Sequence, residues 1–190
     1  MIVLSKEEFE INREEYVALI KKGAIFIYPT DTIYGIGCLA TDTKAVKKIR
    51  TIKKRPKAPF SVIVPSKEWI YKNCLVNEKA EEWIKKLPGP YTLILKLKNK
   101  KAVSEEVNKN IGTIGVRIPK HWFTKYVEEA GLVLITTSVN VSGEDYMTSL
   151  EDLDDRIRTK TDFLIYDGEI SGRPSTIVDL TGKEPKVINR

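Results

Sequence analysis

The sequence predicts an α/β protein that folds as a single domain over residues 1–190 around a twisted mixed sheet. Short apolar runs typical of buried strands, such as 24–28 and 132–135, alternate with segments of helical periodicity. Some predicted strands follow one another without a helix between them, which favours a mixed sheet over a strictly parallel one. The length of 190 residues lies within the roughly 100–200 typical of one domain.

The N-terminal half is predicted to alternate helices and strands. Ser5-Lys-Glu-Glu8 matches a capping box and begins an apolar helical stripe that ends before Gly23. The strand 24–28 follows that glycine, and apolar positions at Ala45, Val46 and Ile49 predict the next helix. The other predicted elements of this half are strands 2–4, 60–64 and 91–97 and helices 66–71 and 77–87.

Proline and glycine punctuate the C-terminal half. Pro119 ends the predicted strand 113–118, and Gly131 ends the predicted helix 122–130. The apolar run 132–135 predicts a buried strand that leads into a polar segment. The remaining predicted elements are a helix opened by residues 149–152 and strands 163–166, 176–180 and 187–188.

The loop after strand 24–28 concentrates polar groups. Pro29 ends the strand, and Gly35 and Gly37 give the backbone room to turn and a ligand room to come close. This composition is typical of a loop that holds a small polar ligand in an α/β protein, and an ordinary solvated turn has the same composition. Four polar side chains fall within six residues here: Thr30, Asp31, Thr32 and Tyr34.

Composition and charge narrow the classes of function. A net charge of +6 and a pI of about 9.1 favour an anionic partner such as a nucleotide or RNA. The single histidine, His121, argues against a Ser-His-Asp triad and a two-histidine metal site, and its position at a predicted helix start favours a surface or capping residue. Cys38 and Cys74 show no disulfide or zinc spacing, and no signal peptide or membrane-spanning run is present, so we expect a cytoplasmic protein.

Several segments carry residue types that bind anions. Lys53-Lys-Arg-Pro56 follows a helix, where cations either complement the helix dipole or clamp a phosphate. Arg117 lies inside an apolar strand, and because an unpaired buried guanidinium is costly, it must meet a carboxylate or a ligand anion. The polar segments 136–140 and 171–176 can bind phosphate or ribose, or form simple Ser/Thr turns. Together they predict an anion-binding site.

Six motifs occur in a fixed order: Pro-Thr-Asp-Thr-Ile-Tyr-Gly, Lys-Lys-Arg-Pro, Pro-Gly-Pro-Tyr-Thr-Leu-Ile-Leu, Gly-Val-Arg-Ile-Pro, Ser-Val-Asn-Val-Ser-Gly and Ser-Thr-Ile-Val-Asp. This order resembles the YrdC-like family, the threonylcarbamoyl-AMP synthases, from about residue 23 to the end of the chain. The family's KxR and SxN tetrad is matched by Lys53, Arg55, Ser138 and Asn140. The resemblance implies that these four are the catalytic residues.

The resemblance implies a twisted, mostly parallel and mixed sheet around a large basic cavity. It also implies a nucleotidyltransferase that converts L-threonine, bicarbonate and ATP into threonylcarbamoyl-adenylate and pyrophosphate. ATP would be a substrate, with Mg²⁺ expected alongside it, and no metal ligands are assigned in the protein. A downstream threonylcarbamoyl transferase would then modify the adenosine next to the anticodon in certain tRNAs.

The family's binding residues carry over by matching motif position. The ATP contacts would be Lys53, Arg55, Thr113, Ser138, Asn140 and Arg190. The threonine contacts would be Thr32, Arg117, Thr137 or its neighbour Thr136, and Ser175. Ile63 stands where some members carry a histidine, and Ala58 where others carry a polar residue. From the resemblance we expect a short form without the C-terminal domain of the longer members.

Two other functions fit the sequence. The first is a non-catalytic module of the same fold that binds tRNA or double-stranded RNA, based on the pI and the lysines at 53–57 and 96–101. The second is a related domain that adenylates a different carbamate. Threonine-dependent ATP turnover distinguishes the synthase from the RNA-binding module, and turnover with amino acids other than threonine tests for the related domain.

Overall fold

The computed structural model of the protein describes residues 1–189, and Arg190 lies outside them. The strands are β1 (Ile2–Leu4), β2 (Phe26–Tyr28), β3 (Gly35–Gly37), β4 (Ser61–Ile63), β5 (Cys74–Leu75), β6 (Tyr91–Leu97), β7 (Thr113–Arg117), β8 (Leu134–Ser138), β9 (Phe163–Ile165), β10 (Thr176–Asp179) and β11 (Lys186–Ile188). The helices are α1 (Lys6–Ile11), α2 (Arg13–Lys21), α3 (Thr43–Lys53), α4 (Lys67–Asn73), α5 (Glu78–Ile84), α6 (Glu105–Asn108), α7 (Trp122–Glu129) and α8 (Asp155–Arg158).

The predicted mixed α/β sheet is confirmed. The strand order is β1-β9-β2-β3-β8-β4-β7-β6-β10-β11, with β5 paired to β6. Four strand pairs are parallel, namely β1/β9, β2/β9, β4/β7 and β6/β10. The other six described pairs are antiparallel, so the expectation of a mostly parallel sheet is wrong. Short connections such as 29–34 between β2 and β3 leave no room for the long crossover that a parallel pair needs.

Two apolar clusters hold the sheet together. The larger packs α3, through Val46 and Ile49, against the central strands. The smaller is largely aromatic, and Phe26 of β2 stacks on Phe163 of β9 with ring centroids 5.0 Å apart. Because burying each such side chain contributes about 1.5–3 kcal/mol, the aromatic cluster fixes β2 firmly. The end of β2 therefore places the polar loop 29–34 at a defined position.

Gly35 and Gly37 lie within β3, which corrects the prediction of a turn at these residues. A Cβ built at Gly35 would come 3.0 Å from the Tyr28 ring, and one at Gly37 would come 2.1 Å from the Ile135 carbonyl oxygen. The glycines therefore permit close packing of a buried strand. Polar residues of the preceding loop had suggested that the loop continued through them.

Other differences have local causes. The predicted first helix is interrupted at Asn12, whose side-chain amide donates to the Glu8 carbonyl at 2.9 Å and competes with the helix ladder. The segment after 135 continues as β8 to Ser138, and residues 150–152 form a 3-10 turn in place of a helix. Strand β5 and helix α6 were not predicted. No helix among residues 1–189 is both long and apolar enough to cross a bilayer.

Candidate active site

A cavity of about 230 Å³ is lined by residues of β3, β8, β4, β7, β6 and β10 and the loops beside them. Arg55 and Arg117 are its cations, and none of its described lining residues is a carboxylate. Fixed positive charge with hydroxyl groups suits a carboxylate or phosphate ligand. The hydroxyl groups come from Tyr34, Ser61, Thr92, Thr136, Thr137, Ser138, Tyr146 and Ser175.

The register of three strands sets the two ends of the site. Ile63 of β4 lies opposite Arg117 on one side and Leu134 of β8 on the other. Ser138 lies four residues beyond Leu134 along β8. At about 3.3 Å per residue, the level of Arg117 and the level of Ser138 are roughly 13 Å apart. The site is therefore elongated along the strands, with one arginine near one end and the SxN segment at the other.

The Arg117 end is held by the loop between β2 and β3. Arg117 is buried, and its Nη2 donates to Asp31 Oδ1 and to Thr32 Oγ1, each at 3.0 Å. Thr32 Oγ1 is also 3.0 Å from Thr30 Oγ1. The requirement that Arg117 meet a carboxylate is thus met by Asp31. Arg117 also lines the cavity, so it is near enough to interact with a ligand anion as well.

Two strands beside the centre of the site come close together because β7 carries a glycine there. A Cβ at Gly115 would come 2.5 Å from Ser61 Oγ and 3.2 Å from Thr92 Cγ2, both of which belong to cavity-lining residues. Beside it, Thr92 Oγ1 and Ser175 Oγ are 2.6 Å apart and buried. The glycine therefore allows the side chains of Ser61 and Thr92 to pack directly against β7, next to a pair of hydroxyl groups.

Lys53 is fully buried at the other end, where α3 stops. Its Nζ donates to the Ser138 carbonyl at 2.5 Å and to Asn140 Oδ1 at 2.6 Å. Ser138 Oγ donates to the same Asn140 oxygen at 2.6 Å. Burial, with a smaller contribution from the positive charge of Arg55, lowers the pKa of Lys53 to about 7. A group with this pKa changes charge readily when an anion arrives.

Arg55 reaches the site because the chain turns sharply after α3. Lys54 adopts a left-handed conformation with φ 48°, which ends the helix and separates buried Lys53 from Arg55. Arg50 holds the following loop by donating to the carbonyls of Arg55 and Ala58 at 2.9 and 3.0 Å. Arg55 lies over the Phe60 ring, 5.3 Å from its centroid.

A second groove, about 470 Å³ in volume, adjoins the cavity. Arg55 and Ser138 line both hollows, which makes them the boundary between the two. The predicted tetrad of Lys53, Arg55, Ser138 and Asn140 all lines this groove. The four residues come from the end of α3 and the end of β8, so the fold brings two distant segments together.

Comparison with known families identifies the fold. The sequence profile of the Sua5, YciO and YrdC family, described as "Telomere recombination", matches residues 18–190. The chain belongs to the Sua5/YciO/YrdC family. A Methanocaldococcus jannaschii relative, whose name provisionally assigns it as a threonylcarbamoyl-AMP synthase, is 37% identical over 95% of this chain and 88% of its own length. The YciO protein of Escherichia coli K12, of uncharacterised function, is 30% identical over 90% and 85%.

Solved structures of the family agree with this assignment. Pyrococcus abyssi Sua5 in complex with L-threonine superposes with a TM-score of 0.87 at 30% identity, covering 98% of this chain. The chain spans 56% of that longer protein. Escherichia coli YciO superposes with a TM-score of 0.86 at 27% identity, and the alignment covers 100% of this chain and 94% of the YciO chain. The α/β architecture is therefore that of the Sua5/YciO/YrdC family.

The site residues expected from the family resemblance fall into three groups. Those that line the cavity or the groove are Lys53, Arg55, Arg117, Thr136, Thr137, Ser138, Asn140 and Ser175. Thr32 is buried behind Arg117 and lines neither hollow, and Thr113 at the start of β7 also lines neither. Arg190 lies outside the described residues.

The two departures from the family pattern have clear surroundings. Ile63 is buried in the aromatic cluster, level with Arg117, and is not among the cavity-lining residues. Ala58 lines the groove, and its carbonyl already accepts a hydrogen bond from Arg50. Of the surface or capping position predicted for His121, the structure shows the helix cap, because its Nδ1 accepts from the Phe123 N–H at 3.3 Å.

Sequence reasoning placed Asp31 and Tyr34 in a polar loop without assigning either a specific partner, and it gave no role to Arg50. Asp31 is the only carboxylate of its loop, which was a usable signal for the partner of Arg117. Tyr34 Oη donates to the Gly168 carbonyl at 2.6 Å and accepts from the Asp167 N–H at 2.9 Å. It thereby ties β3 to the loop after β9. Nothing in the local sequence distinguishes Arg50 from the other cations of α3.

Within residues 1–189, no group of three or more His, Cys, Asp or Glu side chains is arranged to hold a metal ion. Mg²⁺ binds through carboxylates together with substrate phosphates and waters. The described residues therefore do not form a protein cage for Mg²⁺.

Proposed function

We propose that this chain is a threonylcarbamoyl-AMP synthase, a nucleotidyltransferase that uses L-threonine, bicarbonate and ATP. The observation that carries the proposal is the joining of two hollows at Arg55 and Ser138, one with Arg117 and the other with Lys53 and Asn140. A relative 32% identical over 89% of this chain, from Pyrococcus abyssi, is named threonylcarbamoyl-AMP synthase. The solved complex of Sua5 from that organism contains L-threonine.

In this proposal the amino acid occupies the Arg117 end. The guanidinium of Arg117 binds the threonine carboxylate, and the hydroxyl groups of Ser175, Thr136 and Thr137 surround the rest of the molecule. Thr32 acts on the substrate through Arg117, which donates a hydrogen bond to the Thr32 hydroxyl. Ser61 and Thr92 also line the cavity, and their hydroxyl groups lie beside the position proposed for the one-carbon unit on the threonine amine.

ATP occupies the groove, with its α-phosphate at the boundary formed by Arg55 and Ser138. The threonine nitrogen attacks the bicarbonate carbon, water leaves, and a carbamate forms. A carbamate oxygen then attacks the α-phosphorus, the bond to the bridging oxygen breaks, and pyrophosphate leaves with that electron pair. Lys53 and Arg55 stabilise the charge that develops on the phosphates, and one such donor contributes about 3–4 kcal/mol. Holding the reactants together contributes about 7–11 kcal/mol more.

Cofactor and partners follow from this reaction. Mg²⁺ would arrive bound to the ATP phosphates, because the described residues form no cage of their own for it. The product would pass to a transferase that modifies tRNA. Cys38 and Cys74 are buried free thiols, which fits the cytoplasmic location expected from the sequence.

The test is pyrophosphate release from ATP, measured with and without L-threonine and bicarbonate. We expect release only when both are present, and we expect Arg55→Ala to lower the rate by about tenfold or more without unfolding the protein. Arg158→Ala, at an exposed arginine on α8, is the matched control and should retain the wild-type rate.

Three results would overturn the proposal. Release that does not depend on threonine would exclude this reaction. Release with another amino acid in place of threonine would support a different carbamate. Tight, salt-dependent tRNA binding without ATP turnover would support the RNA-binding module.

A further inference from the structure

We propose that Asp31 is a positioning residue that orients Arg117 toward the carboxylate of the amino-acid substrate. The inference rests on the proposed function, and it adds a residue to which the family resemblance gives no role. It starts from the geometry of one nitrogen atom. Nη2 of Arg117 carries two N–H bonds, and Asp31 Oδ1 and Thr32 Oγ1 accept one each, both at 3.0 Å.

Two hydrogen bonds from a single guanidinium nitrogen fix both the plane of the group and its rotation about the side-chain axis. Charge-assisted bonds to a carboxylate are about twice as strong as neutral ones, so Asp31 contributes more to this orientation than Thr32. Arg117 lines the cavity, whereas Asp31 does not. Asp31 therefore approaches the guanidinium from the loop and leaves the cavity to the ligand.

Asp31 is itself anchored, which a positioning residue requires. Its second oxygen, Oδ2, accepts a hydrogen bond from the Lys120 N–H at 2.9 Å. Its side chain is 11% exposed and that of Arg117 is 7% exposed, so water competes little with the pair. One carboxylate thus connects the loop after β2 to the turn after β7. The backbone of two separate segments holds the orientation of Arg117.

The neighbouring hydroxyl groups support the same arrangement. Thr30 Oγ1 donates to the Ile33 carbonyl at 2.6 Å, and it lies 3.0 Å from Thr32 Oγ1. This network closes the loop on itself, so Asp31 and Thr32 present their oxygens to Arg117 as a preformed pair. The cost of ordering Arg117 is therefore met on folding, before the substrate arrives.

The experiment measures L-threonine binding by calorimetry, and threonine-dependent pyrophosphate release, in wild type and two variants. Asp31→Asn keeps the size of the side chain and removes its charge. We expect it to raise the Kd and KM for threonine by about tenfold or more, while kcat and the KM for ATP stay within about threefold. Asp31→Glu restores the charge one methylene further out and should recover part of the threonine affinity.

Asp167→Asn is the matched control, since Asp167 pairs with His121 on the neighbouring turn and does not line the cavity. It should leave threonine affinity unchanged. Unchanged threonine affinity in Asp31→Asn, or an equal loss of threonine and ATP affinity, overturns the inference. If Asp31→Asn fails to fold, Asp31→Glu decides by the same two readouts. A wild type that binds threonine without turnover contradicts the proposed function and leaves the positioning role testable by calorimetry.

Discussion

The charge state of Lys53 gives the sharpest prediction. Its pKa is lowered to about 7 in the folded protein from an ordinary 10.5, because the ammonium group is buried. Between those two values the unfolded chain holds a proton that the folded protein has lost. Stability therefore rises with pH above 7, by about 1.4 kcal/mol per pH unit. Below pH 7 both states are protonated and the slope disappears.

Lys53→Met isolates this contribution, because methionine has a similar length and no charge. The free energy of unfolding of wild type minus that of the variant should increase by roughly 3 kcal/mol between pH 6 and pH 9. Loss of the bonds to Ser138 and Asn140 changes the offset of this difference and not its pH dependence. Urea unfolding at pH 6, 7.5 and 9 measures it directly.

Lys54→Met provides the control, since Lys54 is the adjacent lysine and is exposed. The free energy of unfolding of wild type minus that of Lys54→Met should not show the increase expected for Lys53→Met between pH 6 and pH 9. If the Lys53→Met difference is also flat, then Lys53 remains an ammonium ion in the folded protein. The two short bonds to oxygen acceptors would then outweigh burial, and the reasoning would be refuted.

Two further predictions follow. ATP phosphates near Lys53 should raise the pKa of Lys53, so ATP binding at pH 8 should take up close to one proton. Calorimetry of ATP binding in HEPES and in Tris measures this proton uptake. Equal proton uptake by Lys53→Met would contradict the assignment to Lys53. A Cβ at Gly172 would lie 1.9 Å from the Thr32 carbonyl oxygen, so Gly172→Ala should displace the segment that carries Ser175. We expect this variant to lower the Tm by about 4 °C or more and to lower the turnover rate by about tenfold. Gly182→Ala, whose Cβ would meet nothing closer than 3.7 Å, should change neither value, and a normal Tm for Gly172→Ala would show that the segment adapts.

The sequence predicted most strands and helices because their apolar periodicity reflects one buried face. Strand 91–97 alternates clearly and is observed as β6 with the same bounds. Strand β3 was missed because Gly35 and Gly37 carry no side chains, and periodicity cannot register them. Their role became visible only when Tyr28 and Ile135 were in place around them.

The candidate site was predictable to a similar extent. The motif order pointed to Lys53, Arg55, Ser138 and Asn140, and the fold brings these four to one groove. Distance along the chain gave no way to see that Thr32 would contact Arg117, 85 residues away. Nor could it show that Asp31 would bond to the same nitrogen. Such contacts depend on strand order, which local patterns do not determine.

Arg117 and Ser138, which mark the two ends of the site, belong to strands of a single hydrogen-bonded sheet. Arg117 is level with Leu134, and Ser138 is four residues further along the same strand as Leu134. The gap between them is therefore set by backbone geometry and does not change when loops move. A ligand much shorter than roughly 13 Å cannot contact both ends of the site at once. Under the proposed function, this spacing suits an amino acid joined to a nucleotide, which reaches both ends, better than either part alone.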